Sequence, residues 1–263
     1  MKILVTVAEV GTVEDEFEID GTAIDERYLE YDLNEWDDYA IEEAVQLAEE
    51  GVADEVVAAT IGPERSEETV RMALAKGVDR AVRIWDDALK DAFLDVAAKT
   101  RILEAVVERE DPDLVLSGVQ TGDHMFGATG VSLADAVGIE WAAVVNGLDH
   151  DLDDGVASVR RELEGGVEEF TNVELPAVLT IQTGINEPRY ASLRGIRQAQ
   201  QKEIAVTSLS DLGLDGSAVE SDLRLTEMYE PEVESEPTIF EGGPEDAAVQ
   251  LAGVLREKGV GAE

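Results

Sequence analysis

Asp113–Val137 reads DLVLSGVQTGDHMFGATGVSLADAV. Leu114–Ser117 is a short apolar run of strand character. Gly118, Gly122, Gly127 and Gly130 punctuate the loop behind it, and Val131–Val137 has the composition of a helix. A strand that passes through a glycine-rich turn into a helix is the unit of a parallel α/β sheet, and ligands of such sheets bind outside the carboxyl ends of the strands. Glycines allow close backbone approach, the free N–H groups of a helix start favour a phosphate, and Thr129 adds a hydroxyl donor. The spacing is neither a P-loop nor GxGxxG, so a plain flexible βα connection accounts for the stretch equally well.

The same alternation extends toward the N-terminus. Lys2–Val7 (KILVTV) reads as a buried strand, and Asp37–Glu50 as an amphipathic helix with Ala40, Ile41, Ala44, Val45 and Ala48 inward. Asp54–Thr60 is a second strand, Glu67–Lys76 a helix closed by Gly77, and Asp79–Ile84 a short strand. Ala88–Glu110 reads as one long helix stopped before Pro112. From Trp141 the pattern turns to strands: Trp141–Val145, Val156–Glu162, Glu168–Glu174 and Ala177–Ile181, with Gly165-Gly166 as a hairpin turn. The fold class that follows is α/β: a doubly wound, mainly parallel sheet with added antiparallel strands and a C-terminal extension. The division falls near 206/207. Beyond it the chain becomes acidic and then Pro-rich toward Pro244, closes with an amphipathic helix at Glu245–Lys258, and carries too little apolar sequence for a core of its own.

Composition narrows function. Asp and Glu number 60 against 20 Lys and Arg, a formal net charge of -40. Phosphate neutralisation needs clustered cations, so nucleic acid and anionic membrane surfaces are poor partners. Only six cations are Lys, and self-repulsion on this scale is screened by salt, which points to a halophilic origin. The absence of cysteine excludes disulfides and thiolate chemistry, and two histidines, His124 and His150, cannot build a site that needs three. No stretch has signal-peptide character or membrane-spanning length, so the expected location is cytoplasmic.

Several residues invite a functional reading beside a blander one. Asn34-Glu35-Trp36-Asp37 precedes the first helix, where Asn34 is a good N-cap and Trp36 packs on the helix start; the functional alternative is contact with an adenine or ribose. His124 in the glycine loop either bonds a ligand or is an ordinary polar loop residue. His150, in DHDLDD, reads as a solvated turn residue, and Glu42-Glu43 and Glu49-Glu50 as solvent-facing acid pairs. Glu162 follows Arg160-Arg161 on a strand and faces either solvent or a partner. Leu175–Lys202 holds Arg189, Arg194, Arg197 and Lys202 against the single acid Glu187. Leu193 and Ile196 stand there among polar residues, and apolar anchors ringed by arginine have the composition of an interaction surface. The alternative is a quiet loop whose cations bond acids of the same chain.

Val159–Val206 contains RELEGG, LPAVLT, NEPRYASL and the following IRQA. In this combination the segment closely resembles the signature of electron transfer flavoprotein beta subunits, and Leu33–Glu50 and Ile61–Ala81 resemble further parts of that family. The resemblance implies an adenine-nucleotide-binding α/β domain that pairs with an alpha subunit, with FAD held mostly by that partner and AMP in the beta subunit. It also implies electron donation by dehydrogenases, those for acyl-CoA among them, and delivery toward a quinone reductase. Residue by residue, it places Thr6, Asn34, Glu35, Trp36, Asp37, Ile61, Gly118, Gln120, Asp123, His124, Gly127, Thr129 and Gly130 at the nucleotide. Arg189, Tyr190, Leu193, Arg194, Ile196 and Arg197 fall in the partner-docking loop with Leu193 as its anchor, and Glu162 at the contact with the mobile flavin domain. The resemblance implies further that the C-terminal arm, 207–263, packs on the alpha subunit. The family's nucleotide loop usually carries an acidic pair and Asn-Gln-Thr-Gly, where this chain has Asp123-His124-Met125 and Gly127-Ala128-Thr129-Gly130. Relatives that bifurcate electrons with a second FAD tend to show Val-Gly in place of Thr129-Gly130, so AMP is the expected ligand and FAD the alternative. A free-standing nucleotide-binding protein is the third reading.

Overall fold

A computed structural model describes all residues except 14–15, 91, 153, 232–236, 241 and 261–263. Residue 91 of the expected long helix and residues 232–236 and 241 of the Pro-rich stretch lie outside the described residues. Met1–Glu227 forms one compact unit and Met228–Glu263 a second.

In chain order the first unit runs β1 (Lys2–Thr6), β2 (Glu9–Val13), β3 (Ile19–Asp20), β4 (Ala23–Ile24), β5 (Leu29–Leu33), α1 (Glu35–Glu49), β6 (Glu55–Ile61), α2 (Glu67–Lys76) and β7 (Arg80–Ile84). It continues through α3 (Val96–Glu110), β8 (Leu114–Gly118), α4 (Thr129–Val137), β9 (Glu140–Leu148), β10 (Val156–Leu163) and β11 (Val167–Glu174). It ends with β12 (Ala177–Ile181), α5 (Leu193–Ala199) and β13 (Ile204–Thr207). The main sheet has the order β11-β10-β9-β12-β8-β1-β6-β7-β13. β9, β12, β8, β1, β6, β7 and β13 pair in parallel, and β10 and β11 add antiparallel strands at one edge. The α/β expectation with added antiparallel strands is met.

The near-continuous apolar runs are strands buried on both faces. Ile3 and Val5 of β1, with Leu114 and Leu116 of β8, join the inward residues of α1 and α2. Leu4, Val57, Val115 and Val178 face the other way, onto Ile102 and Val106 of α3 and Leu133 of α4. Each such side chain contributes about 1.5–3 kcal/mol on burial, which is why an acid-rich chain still forms a full core. From β1 the chain winds outward through β6 and β7, then returns by α3 to place β8 on the other flank of β1. The strand order therefore reverses between β1 and β8, and a crevice opens above their carboxyl ends.

Three expectations change. The helix expected over Ala88–Glu110 starts only at Val96, because Asp95 caps it by accepting the N–H of Ala98; a separate short turn occupies Asp87–Leu89. The docking stretch is not wholly loop: Ser192 accepts the N–H of Gly195 and starts α5. The compact unit also runs past residue 206, since Leu209 and Ala218 are buried in the core layer of α3. The Gly165-Gly166 turn is as expected, with both residues at positive φ, 80° and 72°. In the second unit, Gly243 and Pro244 start α6 (Pro244–Glu257), none of whose residues is buried.

Gly118 holds the crevice together by having no side chain. A Cβ there would lie 2.5 Å from Asp37 Oδ1 and 2.7 Å from Trp36 Cβ. Gly118→Ala is expected to force β8 and the start of α1 apart and cost about 1–3 kcal/mol, measured by urea unfolding. Unchanged stability would show that this approach is not tight.

Candidate functional site: a crevice at the strand-order switch and an acidic cradle behind it

A cavity of about 190 Å³ opens above β1, β6 and β8. The strand ends supply Thr6–Ala8, Ile61 and Gly118, the glycine loop supplies Gln120, Thr121, Asp123, His124, Gly127 and Thr129, and α3 supplies Lys99 and Leu103. Of the thirteen residues expected at a nucleotide, Asn34, Glu35, Trp36 and Gly130 do not line it; the other nine do. Gly130 sits beneath, where a Cβ would meet Thr180 Cγ2 at 2.6 Å. Glu35 is exposed.

Asn34 and Asp37 shape the crevice from behind. Asn34 makes no side-chain cap on its own helix. Its Nδ2 instead donates to the Gln120 carbonyl (2.9 Å) and its Oδ1 accepts from the Gly122 N–H (3.3 Å), so it braces the glycine loop. Asp37 accepts the N–H of Ala8 at 2.8 Å and of Gly118 at 2.9 Å, bridging the ends of β1 and β8. Burial pushes its carboxyl up to about 7, against the pull of Asn34 and these two amides. Trp36 donates from Nε1 to Gln182 Oε1 at 2.9 Å.

The cavity has two features suited to an anion. Ala128 starts α4 without a side-chain cap, so the first N–H groups of that helix have no side-chain acceptor. Lys99 is the cation among the lining residues. Burial lowers its pKa, and Asp123 and Asp37 partly counter that. Asp123 is itself taken: although burial raises it, bonds from His124 and Thr121 hold its carboxyl well below the usual range. His124 lies between Phe93 and Phe126, with ring centroids 5.9 and 6.0 Å away. Sequence reasoning missed Lys99, which looks like any helical lysine until the α3 start places it under the loop.

A second constellation corrects the reading of one acid pair, Glu42-Glu43, while Glu49 and Glu50 are exposed as expected. Glu42 and Glu43 are 5% and 2% exposed, not solvent-facing. Arg189 donates to Glu42 from Nε (2.8 Å) and Nη2 (3.0 Å), and to Glu49 from Nη1 (2.6 Å) and Nη2 (2.9 Å). Burial raises Glu42 most strongly, but the bonds from Arg189 and Gln46 bring it net below its ordinary value. Asn186 donates to Glu43 Oε2 at 2.8 Å and to the Tyr39 carbonyl at 3.1 Å. His150 is no free turn residue: its ring nitrogens lie 2.9 Å from Glu43 Oε1 and 3.0 Å from Glu50 Oε2.

The remaining docking candidates face outward. Tyr190, Leu193 and Ile196 are 99%, 78% and 42% exposed, and Arg194 and Arg197 flank them at the surface. Lys202 turns inward to the Leu74 and Val78 carbonyls at the end of α2. Glu162 is exposed on β10. Among the described residues no cluster has metal-site character, and no helix is long and apolar enough to cross a membrane.

Residues 21–212 match the family model for the electron transfer flavoprotein domain. The chain is 46% identical to an electron transfer flavoprotein subunit beta of Methylophilus methylotrophus, over 98% of each chain. It is 37% identical to a mitochondrial subunit beta of Oryza sativa subsp. japonica, over 88% of this chain and 90% of that one. The subunit beta of Sus scrofa is 33% identical over 88% and 86%.

The His150 contacts have a pH signature. Burial lowers its pKa, but Glu43 and Glu50 outweigh that and raise it above 6.5. A pKa raised by folding gives stability that is full below the unfolded value and lost as pH rises through the folded one. His150→Gln is expected to lose most stability near pH 6 and to converge on the parent as pH rises above that folded pKa, followed by urea unfolding; a pH-independent difference would contradict it.

Proposed function

Because the chain belongs to the electron transfer flavoprotein family, as a beta subunit, we propose that it pairs with an alpha subunit that holds most of the FAD and carries electrons from dehydrogenases, acyl-CoA dehydrogenases among them, toward a quinone reductase. The subunit itself performs no bond chemistry. It scaffolds the flavin domain, binds AMP and presents a docking surface.

The observation that carries this reading is the pairing of a small anion-ready crevice with a separate exposed apex on one domain. For AMP, Lys99 and the first N–H groups of α4 suit the phosphate, and Val7, Ile61 and Leu103 offer an apolar wall for the base. Thr129-Gly130 stands where bifurcating relatives tend to show Val-Gly, which favours AMP over a second FAD. Tyr190, Leu193 and Ile196, flanked by Arg194 and Arg197, suit transient docking of a donor, and Glu162 on its exposed strand suits contact with the flavin domain. The acidic arm with α6, whose Val249 and Leu251 are exposed, suits packing on the alpha subunit.

Nucleotide extraction from the purified heterodimer tests the proposal. One FAD and one AMP per heterodimer are expected, and Lys99→Gln should retain AMP about tenfold less tightly. Two FAD would make the protein a bifurcating variant, and a colourless chain that ignores a co-expressed alpha subunit would make it a free-standing nucleotide-binding protein.

The net charge of -40 is the basis for a halophilic origin. On that reading the melting temperature rises as salt is raised from about 0.1 M to about 1 M and the screening length falls from about 10 to about 3 Å. A melting temperature indifferent to salt would remove the argument.

A further inference from the structure

We infer that Arg189 positions the docking segment from behind, by fastening it to α1, and does not meet the donor itself. The inference rests on the reading that Tyr190, Leu193 and Ile196 dock the donor. Residues 187–192 have no regular secondary structure, so no ladder of backbone bonds holds them. The bonds that hold Arg189 come from side chains of α1. Arg189 is engaged at Nε, Nη1 and Nη2 by Glu42 and Glu49, and its own N–H donates to Glu42 Oε2 at 3.0 Å. Both carboxylates accept in the forked manner that fixes a guanidinium in direction as well as distance. Asn186, three residues earlier, is held by Glu43 and Tyr39 of the same helix.

On the far side of the apex the segment is seated just as closely. Ser192 caps α5, and a Cβ at Gly195 would collide with the Ala75 carbonyl of α2, so α5 lies directly on α2. Tyr190 and Leu193 thus project from a span pinned to α1 at one end and α2 at the other. Fixing a loop before encounter removes the ordering cost that docking would otherwise incur. A guanidinium bonded to two carboxylates of its own chain is not a free cation for a partner, whereas Arg194 and Arg197 are exposed.

The test uses the purified heterodimer as substrate of a donor dehydrogenase. Arg189→Gln is expected to raise the half-saturating carrier concentration about fivefold while the rate at saturation and the reduction of the flavin by dithionite stay unchanged. The paired change Glu42→Gln with Glu49→Gln should give the same rise, although it alters charge in the opposite sense. The triple variant should be no worse than either, and Arg189→Lys, which keeps the charge but not the fork, should fall between. If the Glu pair leaves the half-saturating concentration unchanged while Arg189→Gln raises it, Arg189 touches the donor and the inference is overturned. Should Arg189→Gln not assemble, the Glu pair and Arg189→Lys still decide it. Leu193→Ala separates the two claims: no effect of Leu193→Ala sinks the docking reading itself, whereas a slowed donor reaction beside a silent Arg189→Gln sinks only the positioning role.

Discussion

One carboxylate joins segments that the sequence keeps far apart. Asp37 accepts amides from Ala8, at the end of β1, and from Gly118, at the end of β8. These are the two parallel strands between which the strand order reverses, and the crevice lies above their ends. Gly118 is required because the carboxylate occupies the space a side chain would need. Asn34, one turn earlier, ties the glycine loop to the same helix. The cavity is thus not simply a gap left by topology; the first turn of α1 closes its rear wall.

The remainder of α1 does a second task with similar chemistry. Buried acids are costly unless each lone pair is met, and here Arg189, Gln46, Asn186 and His150 meet them. The helix therefore places the crevice and the exposed apex at Tyr190 and Leu193 in one frame, with apolar packing on the sheet beneath. Among the 60 acids, the buried Glu42 and Glu110 fasten two of the scarce cations, Arg189 and Arg80, whereas the buried Asp37 and Asp95 fasten backbone amides. The local excess of positive charge in Leu175–Lys202 divides accordingly. Arg189 and Lys202 are used inside the molecule, and Arg194 and Arg197 remain at the surface.

The parallel core was legible because strands buried on both faces leave β-branched runs such as KILVTV and AVLTI, which few other structures explain. The glycine loop was legible by its position after such a strand. Glu42 and Glu43 were not, because an acid pair on a helix of an acidic protein carries no local mark of burial; the partner that buries Glu42 lies 147 positions away. The start of α3 was misplaced for a related reason: Asp95 is a cap, but among many aspartates a cap is not conspicuous. Asn34 had the composition of an N-cap and took a different task, since its amide found the loop carbonyl and N–H across the crevice instead. For Glu42 and Asn34 what sequence withheld was a long-range polar pairing, and for α3 it was which of many aspartates makes the local cap.

The most direct test of this account is hydrogen exchange on the heterodimer, compared with and without its adenine nucleotide. If the crevice binds the nucleotide and the first turn of α1 forms its rear wall, occupancy slows exchange together in residues 118–130, in 34–38 and at Ala8 and Glu9, which flank the same space. Slowing confined to other segments, or none at all, would contradict it.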